Sequence, residues 1–276
     1  MKAALLAGPK RFEFVDVETP TPKDGECLIK MERMSICGSD IRHGYGPIYP
    51  EEEYPLAVGK PCHECAGVEV ESRTDTFREG QRVIVLPSND MGGLVEYITS
   101  NPGRMIALPD HGDLTDWIMC QPSGTALFTC KKLGSVLGKS VLIVGQGAIG
   151  LSFTMLTSLL GARQVITVDM LDYRLEYSRE FGATHTVNPD QQDVREAVQE
   201  ITQGEWPDIT VEAAGYPDTL DMSFRLVRPD GVVVVFGMQG GEIIPVDSSI
   251  WRIQTMVQRP HNPNQGNRGP TGPGLD

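Results

Sequence analysis

The 276-residue sequence contains no apolar run approaching the length of a membrane span, which takes about 20 consecutive apolar residues. Its first residues, Met1 to Gly8, are too short for a secretory apolar region with a cleavage site and read as a first strand. Positive charge is also scarce. Lys and Arg number 24 against 37 Asp and Glu, for a net charge of −13. Nucleic-acid phosphates would be repelled by that balance, while solubility explains it without a partner. No internal repeat is visible. These absences predict a cytoplasmic protein with neither nucleic acid nor membrane as partner. In that reducing compartment the six cysteines, Cys27, Cys37, Cys62, Cys65, Cys120 and Cys130, should be thiols or metal ligands rather than disulfides. The length suggests two domains, and 40% hydrophobic with 22% charged residues is the make-up of an ordinary globular chain.

The organising stretch is 140–169. Val141 to Val144 are apolar and mostly β-branched, the pattern of a strand buried on both faces. Gly145, Gly147 and Gly150 follow in G-x-G-x-x-G spacing. The first permits a tight turn, the second lets backbone approach a pyrophosphate, and the third lets a helix pack against the sheet. The helix N-terminus then offers free N–H groups to phosphate. Leu151, Met155 and Leu159 recur at helical spacing, Gly161 stands where a C-terminal cap belongs, and Gln164 to Val168 form a second strand. That strand ends at Asp169, whose carboxylate is placed to accept hydrogen bonds from an adenosine ribose. A G-x-G-x-x-G alone is weak evidence, and the bland reading is a βαβ unit with a glycine turn. The ordered strand, glycines, helix, strand and Asp predict a dinucleotide site. Asp169 would repel a 2′-phosphate and no basic residue follows it directly, which favours NAD over NADP. Arg174 reaches the adenosine side or is simply a solvated helix charge.

Residues 1 to about 110 are β-rich. Short runs at Phe12–Val17, Cys27–Met34, Ala66–Val70, Arg82–Leu86 and Val95–Thr99 are broken by Gly, Pro and Asp, as in a compact barrel or sandwich. From about residue 120, strands and helices alternate. Helices are expected at Leu171–Phe181, capped by Gly182, at Asp193–Thr202 and at Thr219–Leu226, with strands at Ile209–Glu212 and Val232–Phe236. Such alternation predicts a parallel sheet covered by helices. Domains are therefore expected at 1–120 and 121–258. Residues 259–276 form a Pro/Gly/Asn-rich tail, disordered by composition.

Two small groups in the first domain carry ligand chemistry. One is Cys37-Gly-Ser-Asp40, just after an apolar strand; the other is Cys62-His-Glu-Cys65. Cys37 and His63 are residue types that suit zinc. Singly, each has a bland reading, as a small buried hydrophobe or a turn residue. Cys62-x-x-Cys65 has the spacing of a redox pair but lacks the βαβ context such a pair needs.

Up to about residue 258 the chain resembles the zinc-dependent medium-chain dehydrogenases of alcohols and polyols. The resemblance rests on Cys37-Gly-Ser-Asp40, His63-Glu64 followed by Ala66-Gly67, Glu79-Gly-Gln-Arg-Val83, Gly92-Gly-Leu-Val-Glu-Tyr97 and Gly145-Gln-Gly-Ala-Ile-Gly150. It implies a GroES-like catalytic domain followed by a Rossmann domain, with zinc in the cleft between them. It implies Cys37 and His63 as zinc ligands, Glu64 as an acid able to move onto the metal, and Ser39 as the group that carries the proton away from the substrate alcohol. Gly145, Gly147, Ala148, Ile149, Gly150, Asp169 and Arg174 would hold NAD, and Thr125 would lie near the nicotinamide.

This sequence departs from the family's pattern at several positions. Gln121 stands where a third ligand, Cys or Glu, is usual, and a neutral amide binds Zn²⁺ less well; Cys120 is beside it. Cys62 replaces a usual Gly. Arg42 stands where relatives often carry the His that ends the proton relay, with His43 one place late. The segment Leu86 to Gly92 contains none of the four cysteines that bind a structural zinc in relatives, so one catalytic zinc and no structural zinc is expected. Family chains normally continue where the Pro/Gly-rich tail takes over, which implies a truncated chain and leaves a homo-oligomer open. The expected activity is hydride transfer from a secondary alcohol or polyol to NAD. The competing readings are a zinc-free NAD(P)H reductase on the same fold and a truncated, non-catalytic nucleotide-binding remnant.

Overall fold

The computed structural model describes residues 1–41, 49, 51–88, 92–237 and 256–258. Arg42 and His43, residues 89–91 of the cysteine-free segment, and the tail at 259–276 lie outside the described residues. The chain divides into two compact units, one spanning Met1–Gly124 and the other beginning at Thr125.

The first unit opens with an antiparallel pair, β1 (Lys2–Gly8) and β2 (Arg11–Asp16), in the register Lys2↔Asp16. It continues with β3 (Cys27–Ser35), a single helical turn α1 (Gly38–Asp40), β4 (Glu64–Ser72), β5 (Arg82–Val85), β6 (Tyr97–Ser100) and β7 (Met105–Ala107). These five later strands form an antiparallel sheet in the order β6-β3-β4-β5-β7. An Ala3↔Val95 bridge ties β1 to it. Alternating residues face one core, in which Cys27, Ile29 and Met31 of β3 meet Cys65 of β4, Val83 and Val85 of β5, and Ile98 of β6. The expected strands are present, shifted by a residue or two at their ends. The helices α2 (Leu114–Trp117) and α3 (Cys120–Leu133) follow. Asp113 caps α2 by accepting the Thr115 N–H at 2.7 Å.

In the second unit, α3 leads into β8 (Ser140–Val144), α4 (Ala148–Leu159), β9 (Gln164–Val168), α5 (Asp172–Glu180), β10 (His185–Val187), α6 (Val194–Ile201), β11 (Ile209–Glu212), α7 (Pro217–Arg225), β12 (Val232–Val235) and β13 (Met256–Gln258). All six strands are parallel, in the order β10-β9-β8-β11-β12-β13. The chain builds outward from β8 in one direction, crosses over, and builds outward in the other. The topological switch point, where doubly wound sheets bind ligands, therefore lies at the carboxyl end of β8. The apolar run of β8 divides between two cores. Val141 and Ile143 pack with Phe153, Ile209 and Val211, while Leu142 and Val144 pack with Ile166, Val187 and Val198. Burial on both faces is why the strand shows no polar alternation.

The helix expected after the glycines is α4. The Leu151, Met155 and Leu159 spacing is that of the helix found, and the buried face lies beside this stripe. Phe153, Thr154 and Thr157 are fully buried, and Leu159 is 76% exposed. The threonines bury without penalty because their hydroxyls bond back along the helix, Thr154 to the Gly150 carbonyl at 3.0 Å and Thr157 to that of Phe153 at 2.7 Å.

Candidate functional site

In the first unit the chemistry gathers at one end of the β3–β4 pair. Ser35, the last residue of β3, lies opposite Glu64, the first residue of β4. The two chain segments that carry Cys37 and His63 thus emerge side by side. Cys37 has extended backbone and caps the turn α1, which brings Asp40 back beneath it. The Cys37 N–H donates to Asp40 Oδ2 at 2.9 Å, and Asp40 Oδ1 lies 2.7 Å from His63 Nδ1. Asp40 is 2% exposed, so this carboxylate is held in place by both segments at once. It accepts hydrogen bonds only, so Nδ1 carries the proton that bonds to it and Nε2 points elsewhere as a potential ligand atom.

The donor atoms of Cys37, His63 and Glu64 all lie within 4.8 Å of one another. A sulfur, an imidazole nitrogen and a carboxylate oxygen form the kind of set that binds zinc with one position left open, and Asp40 is the outer partner that fixes the imidazole. Of these donors, Glu64 is buried while Cys37 and His63 are half-buried. Asp40 first, and then the Cys37 sulfur, hold the proton of His63 tightly and push its pKa up to about 10. The site is thus electrostatically arranged for a cation. Ser39 is half-buried on the same turn. Gln121 is half-buried in the first turn of α3, where its N–H donates to the Ile118 carbonyl at 3.1 Å. Cys120 is exposed and is not part of the group. Asp40 carries no evident role in the sequence alone; its signal is the three-residue spacing from Cys37, which places a carboxylate at the third position of a capped turn.

Cys62 and Cys65 bracket His63 and Glu64. Their sulfurs are 3.9 Å apart, and both residues are buried in the apolar core. The Cys65 thiol is pushed above the usual thiol range, first by the Cys62 sulfur and then by burial. The pair packs where a side chain on Gly93 would overlap Cys65.

In the second unit the glycine loop sits at the switch point. Gly145 turns with φ +92°, and a Cβ on Gly150 would overlap the Gly145 carbonyl oxygen, so α4 packs directly on the strand end. The space beside Gly147 is open, as backbone approach by a pyrophosphate requires. Ala148, Ile149 and Gly150 form the first turn of α4. Asp169 accepts the Gln146 N–H at 2.7 Å, the Leu171 N–H at 3.0 Å and Arg174 at 3.4 Å. Gln146, which the sequence left unassigned, is fully buried and accepts the hydroxyls of Thr154 and Ser178, each at 2.9 Å. The loop is thereby tied to α4, β9 and α5. Thr125 is exposed on α3.

The family model for the alcohol dehydrogenase GroES-like domain matches residues 23–110, and that for zinc-binding dehydrogenases matches residues 148–258. A zinc-type alcohol dehydrogenase-like protein of Escherichia coli is 30% identical over 90% of this chain and 78% of its own length. Sorbitol dehydrogenase of Bacillus subtilis is 27% identical over the same shares of the two chains. A zinc-binding dehydrogenase of Sinorhizobium meliloti, solved bound to NADP, superposes with a TM-score of 0.83 at 26% identity, covering 94% of this chain and 83% of that one. With a GroES-like unit, a doubly wound parallel sheet and both family models in the expected order, the chain belongs to the zinc-type alcohol dehydrogenases of the medium-chain dehydrogenase/reductase family.

Proposed function

We propose that the protein is an NAD-dependent, zinc-dependent dehydrogenase of a secondary alcohol or polyol. The observation that carries this reading is the convergence of Cys37, His63 and Glu64 donor atoms within 4.8 Å, with Asp40 behind His63. The donor set fits a catalytic zinc. When bound, zinc would supply Lewis-acid polarisation of the substrate oxygen, lowering the pKa of the alcohol.

The chain's own residues do the rest. Asp40 holds His63 in one tautomer and orientation. Glu64 brings negative charge into a buried position, where it offsets the cation. Ser39, on the same turn as Cys37, takes the alcohol proton outward. The Gly145–Gly150 loop and the start of α4 receive the pyrophosphate. Asp169 offers its carboxylate to the ribose hydroxyls and repels a 2′-phosphate, a repulsion that Arg174, 3.4 Å away, lessens without cancelling. That arrangement favours NAD over NADP. Thr125 is assigned to the nicotinamide side.

Two readings of the third ligand separate by experiment. If Glu64 joins Cys37 and His63, Gln121 need only hydrogen-bond nearby. Glu64→Gln should then lower zinc affinity on the order of a hundredfold in a chelator-competition titration, and Gln121→Ala should cost much less. A large loss for Gln121→Ala with little for Glu64→Gln would reverse the assignment.

A further inference from the structure

We propose that Glu212 is a positioning residue for the nicotinamide half of a bound dinucleotide, acting through the turn at Ala213, Ala214 and Gly215. Glu212 is fully buried at the carboxyl end of β11, paired with Val144 of β8 on one side and Val235 of β12 on the other. A carboxylate in the middle of a parallel sheet is costly unless its charged form is well bonded. Here it is. Oε1 accepts the Ala214 N–H at 3.0 Å, the Gly215 N–H at 2.6 Å and the Thr219 hydroxyl at 2.8 Å. Room for Oε2 exists because Gly237 has no side chain; a Cβ there would overlap that oxygen.

The turn that Glu212 fixes lies directly against the phosphate loop. A Cβ on Gly145 would come within 2.8 Å of Ala214. On the other side of the loop, the Gln146 N–H donates to Asp169 Oδ2 at 2.7 Å. The loop is therefore held between two carboxylates from the strands that flank β8, Asp169 after β9 and Glu212 on β11. A dinucleotide lies across the switch point of such a sheet, with its adenosine beside the acid that follows the second strand. Adenosine then falls on the Asp169 side and the nicotinamide half on the Glu212 side. Truncating Glu212 should loosen only the latter.

This inference rests on the dinucleotide reading, and the experiment separates the two. In the full-length protein, NADH affinity is measured by fluorescence titration and AMP affinity by calorimetry, for wild type and Glu212→Gln. Loss of charge-assisted hydrogen bonds should weaken NADH on the order of tenfold and leave AMP within about twofold, because AMP engages only the Asp169 side. A merely structural role for Glu212 would weaken both ligands together, and that result, or unchanged NADH affinity, would overturn the inference alone. If wild type bound neither ligand, the dinucleotide reading would fall and the inference with it. Should Glu212→Gln not fold, Thr219→Ala removes one of the three bonds and is read in the same way, with a smaller NADH loss and unchanged AMP binding expected.

Discussion

Glu69 is 1% exposed on the Cys65 and Gly67 face of β4, and among the described residues no donor lies in good hydrogen-bonding geometry to either carboxylate oxygen, Ser72 and Cys27 being its polar neighbours. Burial pushes its carboxyl pKa up, Ser72 and Cys27 pull it partly back, and the charge of Glu79 adds to the rise. With the folded pKa above the unfolded one, the folded state holds a proton that the unfolded chain has released. Stability should therefore fall as pH rises through the window between the two values. Glu69→Val removes the buried acid. It should raise the thermal midpoint of unfolding, by an amount equivalent to about 1–3 kcal/mol, and more at about pH 8 than at about pH 5. A lower midpoint at both pH values in a thermal melt would contradict the argument. Glu69 and Asp40 were opaque to sequence reading for one reason. A carboxylate in an alternating or turn pattern reads as solvated, and only the partners folded against it reveal burial. That Cys37 and His63 come together was expected from residue types that suit zinc, and Glu64 beside them from the family resemblance.

At the scale of the element, β8, β9 and β11 were legible from apolar runs, and Gly161 and Gly182 marked helix ends that the structure places at φ +83° and +101°. The three-residue strands β7 and β10 are too short to carry a periodic signal, and α3 mixes Gly, Pro and Thr with its apolar residues. Leucine spacing marked α4 as a helix but not its packing face, which includes the back-bonded threonines. The observed face makes a test. Phe153 is fully buried and meets Phe236 edge-on at 5.1 Å, so Phe153→Ala should cost about 3–5 kcal/mol. Leu159→Glu, on the exposed side, should stay within about 0.5 kcal/mol. Chemical denaturation measures both, and equal losses would contradict Phe153 as the packing side of α4.

For the whole molecule, the order of a β-rich unit and a doubly wound unit followed from where alternation begins in the sequence. The strand order of each sheet did not, because pairing partners distant in the chain leave no local mark. Among the described residues no helix is long and apolar enough to cross a membrane. The proposed function is a zinc-dependent, NAD-linked oxidation, with Cys37, His63 and Glu64 of the first unit assigned to the metal and the Gly145–Asp169 stretch of the second to the dinucleotide. Its most direct measurement is NAD reduction by a panel of secondary alcohols and polyols, before and after chelation and with zinc added back. Turnover with NAD should be well above that with NADP, abolished by chelation and restored by zinc. Turnover with NADPH that survives chelation would point instead to a zinc-free reductase, and NAD binding with no turnover on any substrate would contradict the assignment as an enzyme.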